Sequence, residues 1–154
     1  MSKDFLNKEE DYKLIAIKKF LDNIDSSKYN NRFDNFDSRK EIIDWVEIQD
    51  WVDILSEKIK GKNYTGIYGI PRGGIIIATL LSYRTGLPLL LAPQSNCLIV
   101  DDDASTGITL LPYCNRFDIA LMYKNPNCNI VPTYLYKEYG EVYKVFIWNE
   151  DNKN

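Results

Sequence analysis

The chain has 154 residues, 45% of them hydrophobic, enough to bury a proper core and consistent with one domain carrying an appended element. A formal net charge of −3 and a pI near 5.0 argue against binding nucleic acid by broad electrostatic attraction, so an anionic ligand needs local donors. Histidine is absent, which excludes any step that requires an imidazole base or ligand from this chain.

Cys97, Cys114 and Cys128 form no CxxC pair and leave one thiol over in any disulfide scheme, so they read as reduced thiols of a cytoplasmic protein. No apolar run approaches the roughly twenty residues that span a bilayer. The start "MSKDFLNKEEDYK" is too charged for a secretory signal. Neither a membrane nor a nucleic-acid partner is expected.

In chain order, Leu14, Ile17, Leu21 and Ile24 recur at helical spacing, and Asp25 to Lys40 is a polar linker anchored only by Tyr29, Phe33 and Phe36. From Ile48, Trp51, Val52, Leu55 and Ile59 predict a second helix, with Gly61 as its stop. The rhythm then changes to short apolar runs. "TGIYGI" reads as a strand, "GGIIIATLLSYRTG" as a helix closed by Gly86, "LPLLLA" as a second strand, "CLIV" as a third and "DIALMY" as a fourth. Continuous apolar strands with helices between them predict an α/β fold, a parallel sheet covered on both faces. We divide the chain into residues 1–47, helix and linker, and 48–154, the α/β domain.

Ligands of such sheets bind beyond the carboxyl ends of the strands. Two loops stand there, "PRGG" and "DDDASTG". Asp, Ser, Thr and Gly are ordinary loop formers, but three adjacent aspartates repel one another, which a bland loop does not need. Ser105 to Thr109 lie where a helix should begin, and free amides with hydroxyls beside them suit a phosphate. Asp101 and Asp102 just before them suit sugar hydroxyls and a hard cation such as magnesium. Arg72 beside Gly73 and Gly74 suits a second anion. Phosphate at one end, pyrophosphate at the other and a ribose between them is the ligand this pattern describes.

"LIVDDDASTGIT" resembles the signature of the type I phosphoribosyltransferases, which holds phosphoribosyl pyrophosphate (PRPP), and "IYGIPRGGIIIA" resembles their pyrophosphate loop, closest to the xanthine-guanine branch. "QDWVDILSEKIKG", "LMYKNP" and "VPTYLYKEYGEVYKVFIWNED" resemble that branch's first helix, its purine-reading lysine segment and its terminal hood, so the likeness runs from about Ile48 to Asp151. The resemblance implies an enzyme that transfers the phosphoribosyl group to a nucleobase, a purine by the branch it is closest to, releasing pyrophosphate. It places Asp101 and Asp102 on the ribose and on Mg2+, Ala104, Ser105, Thr106, Gly107, Ile108 and Thr109 on the 5-phosphate, and Arg72 with Gly73 on pyrophosphate. Lys124 and Tyr143, five positions before Trp148, would read the base. Asp101, Asp102, Arg72 and Ser105 make up the catalytic set, and the family implies a homodimer.

Two departures stand out. The 6-oxopurine enzymes carry an aspartate where this chain has Ser105, and serine is no comparable proton acceptor at neutral pH. The family also inserts a long mobile loop between its second and third core strands, where only "PQSN" separates "LPLLLA" from "CLIVDD". Parallel strands need a crossover of a dozen or more residues. "LPLLLA" is therefore expected to be a very short strand at most, with Pro93 to Asn96 irregular, and an uncovered centre favours hydrolysis or low transfer. A PRPP- or nucleotide-binding sensor without turnover stays open as the alternative. A receiver domain needs a later phospho-acceptor aspartate and lysine for which Ala104 to Asn154 is too short, and the absence of GxxxxGK[ST] excludes a P-loop kinase.

Overall fold

The computed structural model describes residues 40–139 and 142–149. The helix predicted on Leu14, Ile17, Leu21 and Ile24 and nearly all of the linker lie outside the described residues. The first described element, β1 (Lys40–Ile43), leads directly into α1 (Trp45–Ile59). Asp44 caps α1 by accepting the Glu47 amide at 3.0 Å. Ile48, Trp51, Val52, Leu55 and Ile59 form its buried stripe, as their spacing predicts, and Gly61 follows at a φ of 76°.

Next come β2 (Ile67–Gly69), α2 (Gly73–Thr85), β3 (Leu98–Ala104), a 3₁₀ helix (Ile108–Tyr113), β4 (Asp118–Lys124) and β5 (Tyr134–Glu138). Strands β2-β3-β4-β5 form one parallel sheet in that order. Alternation along β3 and β4 sends Leu98, Val100, Ala120 and Met122 into a core with α1 and α2. Ile99, Ile119 and Leu121 point the other way, to a second core with Leu110, Cys128 and Ile130. Both faces of the sheet are thus covered, which is why its strands read as unbroken apolar runs.

"LPLLLA" contributes a single bridge, Leu89 to Ile67, and Leu91 is 98% exposed. Ile67 also pairs with Leu98, so β2 is flanked on both edges and the chain from Leu90 to Cys97 must cross it. That is too little chain for a full strand and a return. The run from Leu91 to Asn96 is a string of bends and turns, with Asn96 at a φ of 59°.

Two details differ from the expectation. After β3 the chain makes the 3₁₀ helix with Pro112 inside it rather than an α-helix; proline lacks the amide that would continue the ladder. The terminal run does not form a hood as a whole. Tyr134–Glu138 is the edge strand β5, and only β6 (Tyr143–Phe146) with the turn Ile147–Asn149 stands apart, pairing in parallel with β1 from Lys40↔Tyr143 to Ile43↔Phe146. Residues 40–47, read as the end of the linker, therefore supply a strand and the start of α1. Tyr123 and Lys137 both donate to Glu47, the latter at 2.8 Å, fastening α1 across β4 and β5. Among the described residues no helix is long and apolar enough to cross a membrane.

Candidate functional site

The carboxyl ends of β2, β3 and β4 converge on one edge of the sheet. After β2, Ile70 donates its amide to Val100 O at 2.8 Å, Pro71 and Arg72 are exposed, and α2 begins at Gly73. The glycine pair is needed because the helix start lies directly on the acidic end of β3. A Cβ at Gly73 would stand 1.7 Å from Asp102 Oδ2, and one at Gly74 would stand 2.5 Å from Val100 O and 3.1 Å from Asp101 Oδ1. No acidic residue occupies the first turn of α2 and Arg72 makes no side-chain cap, so the carboxylate beside the positive end of this helix is that of Asp102.

Asp101 is only 7% exposed and its Oδ1 accepts the Asp102 amide at 2.9 Å. Burial first, then the neighbouring Asp102 carboxylate, pushes its carboxyl up to about 9. Burial likewise raises Asp102, against the hydrogen bond from Asp101 that lowers it. A folded-state value above the ordinary 3.8 means that the free protein loses stability as pH climbs from about 4 toward about 9, because the folded state holds a proton that the unfolded chain releases. Asp101→Asn is expected to flatten that slope and to raise the Tm of the free protein at pH 8 by about 3 °C or more, measured by calorimetry across pH. An unchanged slope would show that this carboxyl carries no such load.

The bend after β3 encloses a cavity of about 190 Å³. Asp101, Asp103, Ala104, the hydroxyl-bearing Ser105, Thr106 and Thr109, and Gly107 line it. Thr106 Oγ1 accepts the Ile108 amide at 3.4 Å, so Ile108 serves the bend through its backbone. Gly107 has a φ of 80°, and a Cβ there would lie 2.4 Å from Ile130 Cγ1 and 2.8 Å from Cys128 Sγ, which pins the bend on the segment between β4 and β5. The donors of the bend are its amides and hydroxyls rather than the dipole of a long helix.

The predicted residues carried by β2, β3, β4 and the loops after them are brought to one edge but not all into one cavity. Successive strand residues point to opposite faces, and Asp102 turns toward Gly73 while Asp101 and Asp103 line the bend. Lys124, at the end of β4, is 13% exposed and ion-paired with Glu138 at 3.6 Å. Tyr143 opens β6, but its side chain lies outside the described residues. The reading of the motif passed over Asp103, because the resemblance assigns roles only to the first two acids; the alternation of β3 was the signal that links it to Asp101. Burial, then the Asp102 charge, pushes Asp103 up to about 6, against hydrogen bonding from Tyr139 and Ser105.

The donor set suits magnesium, which takes one or two carboxylates and draws its remaining ligands from substrate and water. Asp101 and Asp102 are adjacent carboxylates at the end of β3 that fit this requirement, and no group of three or more acids, histidines or cysteines placed to hold a metal occurs among the described residues.

No protein-family model matches the sequence, and no curated protein matches it. Solved structures do. A purine phosphoribosyltransferase from Pyrococcus horikoshii superimposes with a TM-score of 0.60 at 26% identity, over 71% of this chain and 93% of that one. The xanthine-guanine-hypoxanthine phosphoribosyltransferase of Helicobacter pylori gives 0.60 at 14% identity, covering 73% and 95%. A hypothetical protein from Neisseria gonorrhoeae with bound ppGpp gives 0.58 at 15%, covering 74% and 91%.

Proposed function

We propose, for a chain that has the type I phosphoribosyltransferase fold and lies close to its purine branch, that it transfers the phosphoribosyl group of PRPP to a nucleobase. A base nitrogen forms the bond to the anomeric carbon, the carbon–oxygen bond to pyrophosphate breaks, and the base proton passes to solvent. Asp101 and Asp102 hold the ribose hydroxyls and magnesium, whose charge eases departure of pyrophosphate. Ala104 to Thr109 cradle the 5-phosphate, Arg72 and the amide of Gly73 bind pyrophosphate, and Lys124 with Tyr143 meets the base. With fixed donors aimed at developing charge, electrostatic stabilisation of an oxocarbenium-like transition state is the main source of rate. The protein works as a cytoplasmic homodimer.

The observation that carries this reading is the contact of Gly73 and Gly74 with Asp102 and Asp101. It joins the pyrophosphate-type loop to the acidic strand end, beside an open cavity that the bend's own side chains do not fill. PRPP with magnesium is expected to raise the Tm by several degrees at saturating ligand, more than PRPP with a chelator, and pyrophosphate release is expected with at least one purine base. No stabilisation by PRPP sinks the proposal.

The short turn between Leu89 and Leu98 favours a second reading, a PRPP or nucleotide sensor without turnover, since no segment from that position covers the cavity among the described residues. Stabilisation by PRPP without pyrophosphate release from any base decides for the sensor.

A further inference from the structure

Helix α2 has no side made for water. Gly74, Ile77, Ala78 and Leu81 are buried, while Ile75, Thr79 and Tyr83, spaced by four, form a row turned away from them. Ile75 is 42% exposed and Tyr83 87%. The hydroxyls of Thr79, Ser82 and Thr85 all donate back to backbone carbonyls, those of Ile75 at 2.7 Å, Leu87 at 2.6 Å and Leu81 at 2.7 Å. The single charged side chain of the helix, Arg84, is held by Asp53 at 2.5 Å. On α1, by contrast, the outer side carries the exposed acids Asp50, Asp53 and Glu57, as a helix turned to solvent should. A helix that is apolar all round belongs under a cover.

The apolar row continues onto the sheet edge. Leu89 bridges to Ile67 of β2, and Leu87, two residues earlier, packs into the core that α1 and α2 share. Alternation therefore turns Leu89 to the α2 side of the sheet, and Leu91 is almost fully exposed at the same edge. The backbone of Ile75 rests on that edge strand, since a Cβ at Gly69 would stand 2.6 Å from Ile75 Cα. Ile75 and Tyr83 of α2 and Leu89 and Leu91 of the edge are thus exposed large apolar groups on neighbouring elements.

The chain before Lys40 carries a matching element. Leu14, Ile17, Leu21 and Ile24 make an apolar stripe at helical spacing, with lysines and acids between them. A run of about fifteen residues does not hold a helix unaided in water, so such a stripe needs a surface. The chain enters the described fold on the α2 side of the sheet, because Ile43 of β1 is buried in the core shared by α1 and α2. From Asp25 to Lys40 the linker can reach about 50 Å when extended, against about 20 Å for the length of α2. A tether of this kind sets an effective concentration in the millimolar range, which a second copy at micromolar concentration does not match.

We infer that residues 11–25 dock as a helix on the outer side of α2 and the adjoining Leu89–Leu91 edge of the same chain, with Leu14, Ile17, Leu21 and Ile24 facing the row of Ile75, Thr79 and Tyr83. The inference stands whether or not the chain transfers a phosphoribosyl group.

Hydrogen exchange of the full-length protein, read by mass spectrometry, tests it with two single variants, Tyr83→Lys on the face and Leu21→Lys on the segment. Tyr83 is exposed, so its replacement spares the core, and unchanged protection of β3 and β4 verifies the fold of each variant. In the wild type the amides of residues 11–25 are expected to exchange at least about 10-fold more slowly than in an unstructured chain, at every protein concentration, and each variant is expected to lose that protection. Asp50→Lys, on the outer side of α1, is expected to keep it. Three results overturn the inference: no protection of residues 11–25 in the wild type, protection that survives Tyr83→Lys, which puts the segment elsewhere, or protection that grows with protein concentration, which gives the face to a second copy.

Discussion

Gly73→Ala is expected to abolish the stabilisation that PRPP and magnesium confer, weakening PRPP binding by about 100-fold or more, while the free protein stays folded with its Tm within a few degrees of the wild type. The added Cβ would stand 1.7 Å from Asp102 Oδ2 and 2.4 Å from its Cγ. Those atoms are the far end of a side chain, which can rotate away at little cost to the core. Alanine is moreover a better helix former than glycine at the start of α2. The whole penalty thus falls on the site, because Asp102 leaves the place where it faces the loop proposed to bind pyrophosphate. Titration calorimetry with PRPP and magnesium measures it, and wild-type affinity in the variant would show that the contact between the two loops does not shape the binding site.

Gly69→Ala is expected to do the reverse and damage the fold. Its Cβ would meet Gly74 O at 2.5 Å and Ile75 Cα at 2.6 Å, both backbone atoms of the first turn of α2. No side-chain rotation relieves such a clash, so α2 must separate from β2. We expect a loss of about 3 kcal/mol, at the upper end for overpacking, and a fall in Tm of roughly 6–12 °C. That is a large share of the roughly 5–15 kcal/mol by which domains are stable. Urea denaturation of the free protein reads it directly, and a change under about 1 kcal/mol would mean that α2 does not rest on β2 as described.

The contrast between these two glycines marks where pattern reading stops. "GIPRGGII" shows from composition alone that the backbone must come close to something there. Which glycine faces a carboxylate and which faces backbone depends on how α2 is laid across β3, and that follows from packing partners more than twenty residues away in the sequence. Lys124 gives a similar lesson: its place at the end of β4 is legible in "DIALMYK", but its ion pair with Glu138 exists only because Tyr134–Glu138 joins the sheet as β5. That strand was hidden in the terminal run, where aromatic and charged residues alternate without the apolar continuity of the buried strands. The four-residue strand β1 was hidden for a related reason, since "KEII" is too short for a period and acquires its meaning from pairing with β6.

From residue order alone, the α/β class, the buried stripe of α1, the helix α2 with its stop at Gly86, the failure of "LPLLLA" to make a full strand and the place of both loops at the carboxyl edge were all determined. Each follows from local periodicity, from glycine chemistry or from the length of chain available to cross a strand. The division of labour among three consecutive aspartates was decided only by tertiary structure. Alternation separates Asp102 from its neighbours, but only the docking of α2 on one side of the strand end and of Ser105 and Tyr139 on the other determines which carboxylate meets which partner.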